Sequence, residues 1–249
     1  MLNVPEKVRT PLNRQSILTL NQIRVQTPLS SQHIQDINIP ASIKNTGIQN
    51  QKIPSRPSVH PLPSLKHMVQ KGQKIPLNLP GNFSQIQACL GWNVKNPDCD
   101  VDVSAFLLDG SGKVPDENWF VFYGQLQSPD HSTVLSLTPG TDRETVSIDF
   151  SRLHPSVNKI VFVLTINEAE KKHLNFSMIE NAYIRILDSA TKEELVSFCM
   201  DEYYSNVTSM MIGEIYRYHD AWKFNAIGNG VARDLAGLCE LYGVQVENS

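Results

Sequence analysis

The chain has 249 residues, a formal net charge of -3 and 41% hydrophobic residues. This length predicts one large domain or one domain with an appendage, and the hydrophobic fraction is sufficient for a folded core. The weakly acidic charge lacks the basic signature of nucleic-acid-binding proteins, so we expect no nucleic acid partner. No apolar run reaches the length of a transmembrane helix, and the N-terminus lacks the apolar segment of a secretory signal.

The first 64 residues differ in composition from the rest. They contain no Phe, Tyr, Trp or Cys, eight of the 15 prolines, and seven basic against two acidic side chains, which leaves the remainder of the chain clearly acidic. Such a segment buries too little apolar surface to offset its ordering entropy, so we expect residues 1–64 to form a disordered, basic, Pro-rich tail. A solvated linker, a docking segment for an acidic surface and a mitochondrial targeting peptide are the open interpretations of its role.

From residue 65 the sequence changes to short apolar segments. Ile86, Ala88 and Leu90 alternate with other residues, and residues 101–108 repeat this period of two, which is typical of half-buried strands. Eight or nine such segments, separated by Gly, Pro, Asn and Asp, predict a mainly β domain over residues 65–249. We expect an antiparallel β-sandwich with short helices, including one at the C-terminus.

The C-terminal helix is predicted over residues 231–243. Four residues at helical spacing should face the core, and Gly243 supplies the stop: Val231, Leu235, Leu238 and Tyr242. Immediately before it, Gly228 and Gly230 lack the neighbouring lysine and hydroxyl of a phosphate-binding loop. We expect these two glycines to form the turn between the last strand and the helix.

The four cysteines are far apart and never form a C-x-x-C pair: Cys89, Cys99, Cys199 and Cys239. Their spacing does not match a structural zinc site. Disulfides are rare in reducing compartments, where a free cysteine packs as a small apolar residue. We therefore expect free, mostly buried thiols and a cytoplasmic location.

Three aspartates, Asp98, Asp100 and Asp102, stand at alternate positions before an apolar segment. If the intervening apolar residues face the core, all three carboxylates point to the opposite side, because side chains alternate across a strand. Crowded carboxylates repel one another unless a cation neutralises them, and an oxygen-only cluster suits Ca²⁺ better than the strictly octahedral Mg²⁺. The spacing is not that of an EF-hand, because Val103 stands at the glycine position. The alternative is a solvated edge that blocks aggregation between strands.

The histidines of the folded part show no sign of a catalytic site. They form neither an H-x-x-x-H pair nor a neighbour of a G-x-S-x-G turn. We therefore expect no enzymatic activity, and scattered surface histidines are the simpler interpretation.

Four blocks of sequence resemble the successive signatures of one family. They are LGWNVKNPDCDVDVSAFLLDGSGKV, FVFYGQLQSPD, IVFVLTINEAEKKHLNFSMIENAYIRI and MMIGEIYRYHDAWKFNAIGNG. In this order, over about residues 66–246, they resemble the tellurium-resistance TerD family of bacterial stress proteins. The resemblance implies a non-enzymatic, calcium-binding β-sandwich that acts in stress resistance within protein assemblies near the inner face of the membrane.

Residue by residue, the resemblance assigns calcium ligands to the acidic run before the strand. Asp98, Asp100 and Asp102 match the acidic positions of the family, and Glu168 is expected to complete the site. The expected partners are a calcium ion and other stress-response proteins. The alternative function is a metal-independent protein-interaction scaffold, and peripheral association with a membrane is left open.

Two departures from the family pattern concern a second calcium site. Asn93 stands where the family usually has an aspartate, and a long acidic loop is shortened here, so that Asp142 and Glu144 are the candidate ligands left near its end. Affinity at such sites follows the charge and number of the ligands. We therefore expect the second site to be weaker than in a family member with the full loop.

Deleting residues 1–64 should leave the melting temperature of the remaining domain almost unchanged. The tail has no predicted backbone partner in the core, so its removal should be tolerated. Thermal melts of the full chain and of the deletion variant check this. A fall of several degrees in the variant would show that the tail is docked on the domain.

Overall fold

The computed structural model describes residues 61–79, 85–138 and 141–246. Almost all of the predicted tail, residues 1–60, lies outside these described residues. The described part contains two 3₁₀ turns (Glu117–Trp119 and Phe176–Met178), one α-helix, α1 (Leu235–Tyr242), and 11 strands. The strands are β1 (Lys74–Pro76), β2 (Gln85–Val94), β3 (Val101–Leu108), β4 (Phe120–Val121), β5 (Thr133–Leu137), β6 (Glu144–Asp149), β7 (Lys159–Ile166), β8 (Ile179–Asp188), β9 (Glu194–Cys199), β10 (Ser209–Tyr218) and β11 (Ala221–Val231).

The strands form two antiparallel sheets. The six-stranded sheet has the order β1-β11-β10-β7-β3-β4, and the five-stranded sheet has the order β5-β6-β2-β8-β9. The predicted antiparallel β-sandwich with a C-terminal helix is therefore confirmed. The strand count exceeds the expected eight or nine partly because β1 and β4, with three and two residues, are too short to show an alternating pattern.

Strand β3 is buried along its whole length. Its Val103 and Ala105 lie opposite Leu164 and Phe162 of β7, and these side chains are fully buried on the face that looks toward the five-stranded sheet. Burying an apolar side chain of this size contributes about 1.5–3 kcal/mol. The predicted core residues of 101–108 are therefore buried, but the predicted half-burial is wrong, because the side chains that alternate with them, such as Phe106, are buried as well.

Helix α1 packs on the other face of the six-stranded sheet. The ring of Phe106 in β3 lies 4.5 Å from that of Tyr242, measured between centroids. The helix begins after Asp234, whose side chain accepts a hydrogen bond from the Gly237 N–H at 2.8 Å, and it ends at Gly243, which has a left-handed φ of 83°. Leu235 and Leu238 are buried as predicted.

The predicted start of the helix at Val231 is wrong. Val231 belongs to β11, where it lies opposite Ser209 of β10, and the helix begins four residues later. Gly228 and Gly230 also lie inside β11 rather than in a turn. Gly228 adopts a positive φ of 59°, which allows a local irregularity in the strand, and a side chain on Gly230 would collide with Val207.

The four cysteines are free, as predicted: Cys89, Cys99, Cys199 and Cys239. Three of them are buried, and Cys199 is half-buried.

One side of the sandwich is closed by residues 66–76, which we call the N-terminal strap. Its first part runs beside β9, where the Val69 N–H donates to the Ser197 carbonyl at 2.8 Å. It then crosses to the other sheet, where the Gly72 N–H donates to the Ala226 carbonyl and β1 pairs with β11. The strap therefore covers the edge strands of both sheets, which would otherwise expose unpaired backbone groups.

Glu194 at the start of β9 fastens this strap. Its Oε1 accepts hydrogen bonds from the N–H groups of Lys66 and His67, both at 2.8 Å, and from the Ser197 hydroxyl at 2.7 Å. The Glu194 side chain is buried, so these bonds form away from water. One carboxylate oxygen thus holds the strap to the sheet edge.

Substituting Glu194→Ala should loosen the strap. Hydrogen bonds to charged groups contribute about 1.5–3 kcal/mol, and a domain of this size loses roughly 2–4 °C of melting temperature per kcal/mol. We expect a melting temperature several degrees lower and faster hydrogen exchange at the amides of His67 and Val69. Glu194→Gln is the matched control because it keeps the acceptor oxygen, so equal exchange rates in the two variants would contradict this role.

Candidate functional site

Asp100 and Asp102 lie at the mouth of the β3–β7 pair. Asp102 lies opposite Thr165 of β7, and the Asp100 carbonyl accepts a hydrogen bond from the Asn167 N–H at 2.8 Å. The Asn167 side-chain amide also approaches the Asp100 carboxylate, at 3.4 Å. Paired residues of neighbouring strands share a face, so Asp102 and Thr165 lie side by side, and the Asp100–Asn167 contact extends these polar groups just beyond the two strands. Asp98 lies in the preceding turn, with its N–H bonded to Asn96 Oδ1.

This polar face differs in exposure from one end to the other. Asp98 is exposed and Asp100 is half-buried, but Asp102 is only 4% exposed. Two residues further into β3, Ser104 is 2% exposed, and its hydroxyl has no hydrogen-bond partner among the described residues. The solvated-edge interpretation therefore does not describe Asp102, because this face of the sheet carries a helix.

Glu168 comes directly after Asn167 and is already paired. Its Oε1 lies 2.9 Å from Lys171 Nζ, and its Oε2 lies 2.9 Å from Lys172 Nζ. The hydrogen bonds from Lys171 and then Lys172 hold the pKa of the Glu168 carboxyl below its usual value. The negative charge of Glu168 is thus neutralised by two lysines of its own loop.

Asp142 lies before β6 and is bound to β8. Arg185 donates from Nε to Oδ1 at 3.1 Å and from Nη2 to Oδ2 at 2.7 Å, and the Tyr183 hydroxyl donates to Oδ1 at 2.9 Å. Arg185 and Tyr183 lie opposite Cys89 and Gly91 of β2, on the outer face of the five-stranded sheet. Asp142 is therefore held over the outside of this sheet.

Glu144 lies on the other face of the same sheet. It is the first residue of β6 and lies opposite Leu90 of β2, a fully buried residue of the sandwich interior. Glu144 is itself 3% exposed. The structure therefore separates Glu144 from Asp142, although only one residue lies between them in the sequence.

The six predicted ligands occupy several separate places rather than one. Asp100 and Asp102 share a face, Asp98 precedes them in a turn, and Glu168 follows the neighbouring strand. In the part of the chain that the structure describes, no group of three or more His, Cys, Asp or Glu side chains is arranged to hold a metal ion. Among the predicted ligands, Asp100 and Asp102 at the β3–β7 mouth are thus the best candidates for binding a metal ion.

Sequence reasoning missed Gly91, Tyr183 and Arg185. A Cβ atom on Gly91 would lie only 2.4 Å from the Tyr183 hydroxyl, so the absence of a side chain lets the tyrosine ring cross β2 toward Asp142. The available signal was the alternation of Tyr183 and Arg185 with the apolar Ala182, Ile184 and Ile186. It could not show which acid these residues meet.

Three histidines of the folded part adopt a left-handed backbone conformation. His131, His173 and His219 each adopt a positive φ between 53° and 58°, a conformation for which histidine is enriched relative to most other residues. His154 bonds through its Nδ1 to the Ser156 hydroxyl two residues away. Turn geometry therefore accounts for the positive φ of His131, His173 and His219.

Within the described ranges, no helix is both long and apolar enough to cross a membrane.

The two sheets and the C-terminal helix define a β-sandwich domain with a carboxylate pair at one strand mouth. Residues 65–242 match the TerD domain. The chain belongs to the TerD domain family, whose members include tellurium-resistance and general stress proteins. The match begins at residue 65 and does not include the basic, Pro-rich segment that precedes it in the sequence.

Named relatives cover most of this domain. General stress protein 16U of Bacillus subtilis (strain 168) is 40% identical over 187 residues, which are 71% of this chain and 96% of that protein. Tellurium resistance protein TerD of Serratia marcescens is 36% identical over 163 residues, which are 62% of this chain and 85% of that protein. The crystal structure of a homologue of telluride resistance protein (TerD) from Streptomyces coelicolor A3(2) has a TM-score of 0.48 at 17% identity and covers 63% of this chain and 95% of that chain.

Substituting Gly91→Ala should destabilise the domain. The new methyl group would push Tyr183 away from Asp142, and overpacking of this kind costs about 1–3 kcal/mol. At roughly 2–4 °C per kcal/mol, we expect a visible fall in melting temperature. The control is Gly110→Ala, where the added carbon would lie 3.6 Å from Asn158 Nδ2, an ordinary van der Waals distance. Equal melting temperatures for the two variants would contradict the close packing at Gly91.

Proposed function

We propose that this chain is a non-enzymatic, calcium-binding stress-response protein of the cytoplasm that acts within a protein assembly. Its membership of a tellurium-resistance and stress family supports the stress role. The observation that carries the calcium proposal is the position of Asp100 and Asp102 at the mouth of β3, where Asp102 lies opposite Thr165 and the Asp100 carbonyl accepts a hydrogen bond from the Asn167 N–H.

The donors at this mouth fit a hard cation in chemistry. Ca²⁺ prefers six to eight oxygen ligands, including carboxylates, amide carbonyls, hydroxyls and water. Asp100 and Asp102, with Thr165 of β7 and Asn167 just beyond it, offer such oxygens. The buried Ser104 hydroxyl adds one that lacks a partner among the described residues. A bound calcium ion would reduce the repulsion between two neighbouring carboxylates.

Each residue has a distinct part in this proposal. Asp100 is half-buried, so an ion can approach it from solvent, while the buried Asp102 gives the inner carboxylate. The backbone bond between Asn167 and Asp100 fixes the relative position of the two strands there. Asp98 and Glu168 join the site only if the turn at Asp98 moves inward and Glu168 leaves Lys171 and Lys172.

A metal-independent scaffold is the second candidate function. The observation that favours it is the neutralisation of two predicted ligands by cations of the chain itself, Glu168 by Lys171 and Lys172, and Asp142 by Arg185. A scaffold of this kind would bind another stress-response protein with the same surface in the presence or absence of calcium.

The double substitution Asp100→Asn and Asp102→Asn separates these two functions. With a chelator, the variant should melt no lower than the parent, because the amides keep the size of the side chains and remove the repulsion between charges. With millimolar calcium, the parent should melt at a higher temperature and the variant should not. Calcium at a hundred times its dissociation constant, bound only by the folded state, would add about 2.7 kcal/mol.

Thermal melts of both proteins in chelator and in calcium make this test. A parent without any calcium-dependent shift would favour the scaffold. An undiminished shift in the double variant would place the ion away from Asp100 and Asp102.

A further inference from the structure

Asp142 has a complete set of donors from its own chain. Both carboxylate oxygens accept from Arg185, at 3.1 and 2.7 Å, and Oδ1 also accepts from the Tyr183 hydroxyl at 2.9 Å. The side chains of Arg185 and Asp142 are 19% and 9% exposed. Paired, charge-assisted hydrogen bonds from a guanidinium group are stronger and more directional than those from a single point charge.

The sheet fixes these donors in place. Arg185 and Tyr183 stand on one face of β8, a central strand that is paired on both sides, with β2 and β9. The Tyr183 hydroxyl lies 3.0 Å from the Thr141 carbonyl as well as 2.9 Å from Asp142. Because Gly91 has no side chain, the tyrosine ring reaches across β2 to the loop before β6. The loop is thus bound to a rigid part of the five-stranded sheet.

Two further titratable neighbours of Asp142, Cys89 and Tyr183, add no charge. Burial, followed by the charge of Asp142, raises the pKa of the Cys89 thiol to about 11. Burial and then Asp142 also raise the pKa of the Tyr183 hydroxyl far above its usual value. Both groups are therefore neutral at physiological pH. The charge of the cluster formed by Asp142, Arg185, Tyr183 and Cys89 is zero, so it does not attract a further cation.

A metal ion on Asp142 would have to compete with this arrangement. It would lie next to a positive guanidinium group and would have to replace three hydrogen bonds to the carboxylate. Glu144, the nearest acid of the sequence pattern, faces the interior on the other side of the sheet and cannot contribute a second carboxylate there. The residues around Asp142 therefore do not fit a calcium site.

We infer that Arg185 is the permanent counter-ion of Asp142. Their contact, which we call the tie, joins the loop before β6 to β8 without a metal ion. The tie lies away from the mouth of β3, on the outer face of the other sheet. The inference therefore does not depend on calcium binding at Asp100 and Asp102.

A double-mutant cycle in chelator tests the tie. Asp142→Asn and Arg185→Gln should each lower the melting temperature of the full chain, by about 5–10 °C, because each leaves the partner charge unpaired in a partly buried place. The double variant should lose clearly less than the sum of the two losses, because the two residues act on each other. Glu240→Gln, on an exposed position of α1, is the control and should have almost no effect.

Calorimetric titration with calcium completes the test. Asp142→Asn and Arg185→Lys should bind the same number of calcium ions as the parent with the same affinity. Loss of a calcium ion in Asp142→Asn, or strictly additive melting losses in the cycle, would overturn the inference. If Asp142→Asn does not fold, Arg185→Lys still allows the test, because lysine retains the positive charge but loses the paired geometry. Its melting temperature should fall less than that of Arg185→Gln, and its calcium binding should be unchanged.

These outcomes separate the tie from the calcium proposal. A parent that binds no calcium would defeat the proposed function, while the melting cycle in chelator would still support or overturn the tie.

Discussion

The pairing of β3 with β7 is the contact on which the rest of the structure depends. β3 is buried at every position, with its inner face against the five-stranded sheet and its outer face beneath α1. Because both faces are covered, polar side chains that alternate with the core residues cannot simply face water. Burial of a polar group without a partner costs free energy, so the positions of Asp102 and Ser104 require polar surroundings. The cover supplied by α1 thus turns an alternating strand pattern into a partly enclosed row of oxygens.

The two sides of the sandwich show how the chain protects its sheet edges. The N-terminal strap joins the edge strands β9 and β11 on one side. On the opposite side, β4 pairs with β3, and shortly afterwards the Leu126 carbonyl accepts a hydrogen bond from the Leu135 N–H of the edge strand β5. In both places one short segment pairs first with one sheet and then with the other. Covered edges offer fewer unpaired backbone groups to a further strand, so this arrangement disfavours edge-to-edge aggregation.

The sequence predicted the fold well because alternation reports directly which side of a strand is buried. The core face of residues 101–108 and the opposite orientation of Asp102 and Ser104 follow from the period of two. Helical spacing, in contrast, wrongly placed Val231 in the helix, because its distance from Leu235 in the sequence suits a helix. Only the pairing with Ser209 shows that β11 continues to Val231. The site was less predictable. Asp142 and Arg185 are far apart in the sequence, and a pattern of acids does not show which cation neutralises each one.

The acids of this domain differ in how firmly their cations are held. Arg185 extends from a central strand, is mostly buried and binds Asp142 through both oxygens, so its exchange for another cation would break a fixed geometry. Lys171 and Lys172 lie on the loop that carries Glu168, and the Lys171 side chain is 74% exposed. Exposed lysine pairs contribute little and are screened by salt, so solvent or a divalent ion can replace them at low cost. Glu168 can therefore exchange its counter-ions with solution more readily than Asp142 can. A response of this pair of acids to ionic conditions should start at Glu168, beside the mouth of β3.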